Sequence, residues 1–157
     1  MAFRFSEKSL NKLKGVHPDL IRVAKRAIEI TKVDFGVTCG MRSVKEQERL
    51  VADGASQTMN SKHLPQHDKY SHAIDVLAYI GSRHSWELNL YDEIADAMRQ
   101  AAIELDVQIR WGAAWHIDDI RTFDGTMEEA MMEYIDLRRS QGKRPFLDGP
   151  HFELRGY

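Results

Sequence analysis

Ala73-Ile74-Asp75-Val76-Leu77-Ala78-Tyr79-Ile80 is the stretch on which the fold turns. It is mostly apolar and β-branched, and it reads as a strand buried in a sheet. Residues 55–71, just before it, are polar without an apolar period and read as loop. Earlier still, Ser43 caps a helix and Glu46 completes a capping box; the helix runs through Gln47, Leu50 and Val51 to a stop at Gly54. Asp34 to Met41, with Val33, Phe35 and Val37 alternating, predicts a strand. His17-Pro18-Asp19 starts a helix whose Leu20, Val23, Ala24, Ala27 and Ile28 share one face, and Ser6 opens a short helix over 6–15 that Gly15 ends. Downstream, Leu90 to Leu105 is a strongly amphipathic helix and Val107 to Trp111 a short strand. Thr126 to Gln141 is a Met-rich helix closed by Gly142, and Phe152 to Leu154 is a last short strand. Few strands in irregular alternation with helices favour an α+β fold, a small antiparallel sheet packed with helices, over a doubly wound parallel sheet.

The chain has 157 residues, the length of one ordinary domain, and carries no repeat or low-complexity segment. Hydrophobic residues make up 43% and charged residues 29%, the balance of a globular protein. Lys+Arg 22 against Asp+Glu 24 leaves a net charge of −2, which gives no electrostatic case for binding nucleic acid. The single Cys39 excludes a disulfide framework and a cysteine-rich zinc site. No run approaches the roughly 18 apolar residues of a membrane span. Met1-Ala2-Phe3-Arg4-Phe5 lacks the apolar segment of an export signal, so the expectation is a cytoplasmic chain without a membrane anchor.

Seven His is many for this length. Ser61-Lys62-His63 and Ser71-His72-Ala73-Ile74-Asp75 put a His and an Asp at the entrance to the buried strand. A carboxylate there is costly unless paired. Asp148-Gly149-Pro150-His151-Phe152-Glu153-Leu154 adds a second His with an acidic residue three positions before it, on a turn that Gly149-Pro150 shapes. Two imidazoles and a carboxylate are a common catalytic zinc triplet, which leaves a fourth position for water. Such a metal lowers the pKa of water from about 15.7 to about 7. A further carboxylate can take the water's proton and hand it to the leaving amine. There is no His-Glu-Xaa-Xaa-His helix, so the common helical zinc protease is excluded.

These motifs resemble those of the D-alanyl-D-alanine carboxypeptidase and L-alanyl-D-glutamate endopeptidase family of zinc peptidases. Ser61-Xaa-His63 … His72-Ala73-Ile74-Asp75 is similar to its first signature, and Asp148-Gly149-Pro150-His151-Phe152-Glu153 to its second. Gly40-Met41-Arg42-Ser43 with Glu46-Gln47 is similar to its helix start, and Trp111-Gly112 with Trp115 resembles its Trp-rich stretch, without the second Gly and the Asp of that stretch. The resemblance covers about residues 33–155, and Asp rather than Glu at position 148 points to its phage endolysin branch. It implies a hedgehog/D-Ala-D-Ala peptidase-like single domain over 1–157 without a separate wall-binding domain. One zinc ion would be held by His63, Asp75 and His151, with Asp148 as general base. Arg42 would bind substrate carboxylate or carbonyl oxygen, and Ser61 would lie in the substrate site or support the loop. The implied substrate is bacterial peptidoglycan, cut in its stem peptide as an L-alanyl-D-glutamate endopeptidase. The implied protein is a monomer that stays in the infected host's cytoplasm until the membrane is opened and then acts on the wall. The alternatives are a D-alanyl-D-alanine carboxypeptidase or dipeptidase, and a non-catalytic peptidoglycan-binding domain or structural zinc domain of the same fold.

One departure leaves two candidates for the first ligand. Five residues, Pro65 to Lys69, are inserted between His63 and Asp75, so His67 competes with His63 by count. The flanks favour His63, because Ser61 precedes it by two whereas Pro65 precedes His67. Other readings compete elsewhere. His67, Asp68 and His72 form a rival metal cluster, and His116, Asp118 and Asp119 another. Trp86, Trp111 and Trp115 read as core or cleft wall, and Met127, Met131 and Met132 as a core stripe. Cys39 reads as a small buried hydrophobe.

Overall fold

The computed structural model describes residues 2–56 and 58–157. Met1 of the N-terminal stretch and Gln57 of the polar stretch 55–71 lie outside the described residues.

Helices begin where a cap precedes an apolar face. The Ser6 hydroxyl accepts the Ser9 N–H at the start of α1 (Glu7–Lys12). His17 Nδ1 accepts the Asp19 N–H ahead of α2 (Pro18–Ile30), with Pro18 in its first turn, where its missing N–H costs nothing. β1 spans Asp34–Cys39 and α3 Val44–Ala52. The capping box of α3 is present in both directions, with the Glu46 N–H donating to Ser43 Oγ and the Ser43 N–H to Glu46 Oε1. β2 (Ala73–Ile80), β3 (Arg83–Ser85), α4 (Leu88–Leu105) and β4 (Ile109–Trp111) follow. A 3-10 turn over Ile120–Thr122, α5 (Met127–Ser140) and β5 (His151–Leu154) complete the order.

The sheet runs β1-β2-β5-β4, with β3 also paired to β2, and every pairing is antiparallel. This is the expected α+β architecture. The segment between β2 and α4, to which the sequence assigns no element, contains β3. Ile80 faces Arg83 across a two-residue turn in which Gly81 has φ +63°, a conformation glycine adopts without penalty. Arg83-His84-Ser85 has no apolar alternation, so pairing to β2 and not patterning makes it a strand. β4 starts at Ile109, after the left-handed Asp106 that ends α4.

Strand alternation separates two faces. Ile74, Val76 and Ala78 of β2, Phe35 and Val37 of β1, and Phe152 and Leu154 of β5 are buried in one core. Against them pack Leu20, Val23 and Ala27 of α2 and Ile94, Met98 and Ala101 of α4. Asp75, His151 and Glu153 project from the opposite side of their strands. Met127 and Met131 of the Met stripe are in the core, four residues apart on one helix face, but Met132 is exposed on the next. Among the described residues no helix is long and apolar enough to cross a membrane.

Gly112 follows β4 and locks the turn that precedes β5. Its N–H donates to the His151 carbonyl and its carbonyl accepts the Asp148 N–H, both at 2.8 Å. A Cβ here would collide with the Asp148 carbonyl oxygen and lie 2.9 Å from His151 Cβ. Gly112→Ala is therefore expected to cost about 1–3 kcal/mol of stability, as overpacking does. Denaturant melts of the two proteins test this, and an unchanged midpoint would contradict the packing described.

Candidate metal centre

The register of three strands builds the site. Asp75 of β2 faces His151 of β5 on one edge and Cys39 of β1 on the other. The β1–β2 register shifts between Val37 and Cys39. Val37 opposes Val76 on the core side, and the shift brings Cys39 opposite Asp75 on the other, the re-aiming that a bulge performs. His63 comes from the loop before β2. The Ser61 hydroxyl accepts its N–H at 3.2 Å, and its carbonyl accepts the Arg42 N–H at 2.9 Å. Lys62, next to it, accepts the His72 N–H at 2.8 Å, which ties the loop to the start of β2.

Asp75 is the centre of the cluster. His63 Nε2 lies 3.3 Å from its Oδ2, and His151 Nδ1 lies 3.2 Å from its Oδ1. The remaining ring nitrogens are occupied by the protein: His63 Nδ1 meets the Gly40 carbonyl at 2.8 Å, and His151 Nε2 meets Glu153 Oε1 at 2.8 Å. Each imidazole thus turns its free nitrogen toward Asp75, as metal-ligating histidines do. Two groups of ligand atoms lie within 4.8 Å of one another, Asp75-Asp148-His151 and Cys39-His63-Asp75, and they share Asp75. Imidazole nitrogen and carboxylate oxygen suit zinc.

Cys39 corrects one expectation. It ends a strand as expected, but it is half-buried, with Sγ 3.6 Å from His63 Nδ1, so it belongs to the site and not to the core. Only the register shift, invisible in the sequence, puts it there.

Arg42 reaches Asp75 Oδ2 through Nη2 at 3.4 Å, and its Nη1 donates to Gln47 Oε1 at 3.1 Å. Gln47, to which sequence reasoning assigns no role beyond its motif, is fully buried in α3. Its Nε2 donates to Ser56 Oγ and the Thr58 carbonyl at 2.8 and 2.7 Å, so it fixes both Arg42 and the loop wall. Its place beside Glu46 in the helix-start motif was the only signal the sequence offered. Asp148, Ser61, Ser56, Thr58, Trp115 and Phe146 line a cleft of about 580 Å³ over His63, Asp75 and His151. The indole of Trp115 stacks on Phe146 and tilts against His151, so it is cleft wall. Trp111 is core, and Trp86 is exposed.

Neither rival cluster gathers three donor atoms among the described residues. His67 and Asp68 turn to His72, with Asp68 Oδ2 2.8 Å from His72 Nε2 and the His67 ring 6.0 Å from that of His72. Neither reaches Asp75, so the structure brings His63 and not His67 to the centre. His116 pairs with Glu133, Asp118 with Arg155, and Asp119 with Arg121.

Electrostatics follow from the geometry. Burial opposes charge on Asp75, but hydrogen bonds from His151 and His63 outweigh it and hold its carboxyl well below the usual range. Burial likewise opposes protonation of His63 and His151. Hydrogen bonds to Asp75 and Cys39 push His63 up to about 10, and hydrogen bonds to Asp75 and Glu153 push His151 up to about 9. Burial raises the Asp148 pKa, and the Asp75 charge raises it further.

The family model for phage L-alanyl-D-glutamate peptidase matches residues 1–155. The L-alanyl-D-glutamate peptidase of Escherichia phage T5 is 33% identical over 136 residues, 80% of this chain and 96% of its own length. The crystal structure of the L-Ala D-Glu endopeptidase ChiX of Serratia marcescens is similar with a TM-score of 0.70 and 34% identity, covering 98% of this chain and 91% of that one.

Without metal, the raised His63 and His151 contribute stability that is complete below about pH 6.5 and is lost as pH rises through their folded values of about 10 and about 9. The lowered Asp75 contributes above about pH 3.9, a contribution lost as pH falls. The melting temperature of metal-free protein should therefore decline between about pH 7 and 10, and Asp75→Asn should flatten the decline. A wild-type profile level across that range would contradict the pairing.

Proposed function

The chain belongs to the phage L-alanyl-D-glutamate peptidase family, and on that premise we propose that it is a zinc peptidase that hydrolyses the L-alanyl–D-glutamate bond of the peptidoglycan stem peptide. The observation that carries the reading is the gathering of His63 and His151 around Asp75, with the Asp148 carboxylate beside them in one cleft. His63, Asp75 and His151 would hold the ion. Bound there, zinc supplies hydroxide at neutral pH and polarises the scissile carbonyl.

The other residues divide the remaining work. Asp148 takes the proton of the attacking water and passes it to the leaving amine. Burial and the nearby Asp75 charge favour its protonated form, which suits a group that must give the proton back. Arg42, held by Gln47, offers a planar fork to a substrate carboxylate, which a glutamyl residue brings. Ser61 holds His63 through its backbone N–H. Trp115 and Phe146 form an apolar wall that excludes water from one side. The 157 residues act as one catalytic unit in this reading, a monomeric endolysin that waits in the infected cell until the membrane is opened and then attacks the wall. Membership of a phage peptidase family supports that role.

Digestion of purified peptidoglycan followed by mass spectrometry tests the reading. New amino termini at D-glutamate, with no new reducing ends, are expected. Released D-alanine would show a carboxypeptidase instead, and reducing ends without amines would remove peptidase action altogether. Asp148→Ala should keep its zinc and lose about 10²–10⁴-fold in turnover. Near-normal turnover in that variant would exclude Asp148 as the base.

A further inference from the structure

Glu153 lies two residues after His151 on β5, so both side chains leave the same face of the strand. It is buried, and its Oε1 meets His151 Nε2 at 2.8 Å. Among the described residues this is the one hydrogen bond its carboxylate makes. Arg155 Nη1 stands 3.8 Å from Oε2. Arg110, opposite Glu153 across the β4–β5 pairing, turns its guanidinium onto the Trp115 ring and the Trp115 carbonyl. A carboxylate withdrawn from water with a single hydrogen bond is a poor core residue. Its placement makes sense through the imidazole it touches.

We propose that Glu153 is a positioning residue for His151: it takes the Nε2–H and so presents Nδ1 to a metal ion at Asp75. The proposal rests on the reading of His151 as a metal ligand. Which imidazole nitrogen is free to ligate is set by the hydrogen bond at the other. At His63 a backbone carbonyl, that of Gly40, does this; at Gly40 a Cβ would collide with the Lys12 carbonyl oxygen, so the acceptor is built into the chain. At His151 no backbone carbonyl serves, and Glu153 is the acceptor. The two ligands thus have unlike supports, a neutral carbonyl and a carboxylate, and the carboxylate makes His151 the more basic donor.

Zinc affinity, measured by competition with a chromogenic chelator, and histidine ¹⁵N spectra of the zinc-loaded protein test this together. The wild-type spectrum should show His151 with metal on Nδ1 and a hydrogen-bonded proton on Nε2; metal on Nε2 would overturn the proposal without any variant. Glu153→Ala should weaken zinc binding about 10–100-fold, and Glu153→Gln, whose amide oxygen still accepts the Nε2–H, should stay within about threefold of wild type. Equal losses in both variants, or none in either, would overturn the proposal. His151→Ala serves as the separate control: wild-type affinity there would remove the ligand reading itself, and not merely the role of Glu153.

Discussion

One carboxylate sets the terms for the rest of the molecule. Asp75 sits on β2, the strand that pairs with three others, and its side chain leaves the face opposite Ile74 and Val76. A charge placed on the inner strand of a sheet costs several kcal/mol unless it is compensated. His63, His151 and Arg42 supply that compensation from three different parts of the chain. The loop that carries His63, the helix start that carries Arg42 and the turn that carries Asp148 are each fastened by backbone hydrogen bonds close to those residues. The core on the other face of β2 anchors the strand from which Asp75 projects.

The inserted residues Pro65 to Lys69 are absorbed without disturbing the centre. Pro65 and Ser71 bridge, the Gln66 N–H donates to the Tyr70 carbonyl, and Lys69 takes a left-handed φ of 72° to close the turn. The loop thereby doubles back on itself. His67 and Asp68 are directed at His72 and His17 near the start of α2, on the side away from the cleft. A longer spacing between His63 and Asp75 therefore changes the loop's outer surface and leaves His63 beside Asp75.

What could be read from the sequence was local. The reciprocal caps at Ser43-Glu46 and the apolar face of α2 are short-range signals, and they placed their elements within a residue or two. β2 was legible because a run of eight residues that is apolar at every position but Asp75 has few other uses. That His63, Asp75, Asp148 and His151 come together was expected from motifs that resemble a family's, and for His63 from its Ser61 flank, because its spacing to Asp75 is five residues too long. What escaped depends on register between distant strands. Cys39 joins the site through a one-residue shift against β2, β3 exists because Ile80 meets Arg83 across a tight turn, and Gln47 matters through a loop nine or more residues away. Glu153 stood in the quoted motif, but only the pleat of β5 shows that it faces His151.

The donors around Asp75 define the centre, and an ion there has two alternative sets: Asp75 with His63 and His151, which both meet its carboxylate, or Asp75 with Cys39 and His63, which gather beside it. Zinc K-edge X-ray absorption on the stoichiometrically loaded protein distinguishes them, because zinc–sulfur bonds are about 2.3 Å and zinc–nitrogen bonds about 2.0–2.1 Å. Nitrogen and oxygen ligands only, two of them imidazoles, are expected. A sulfur contribution, abolished in Cys39→Ser, would contradict that expectation.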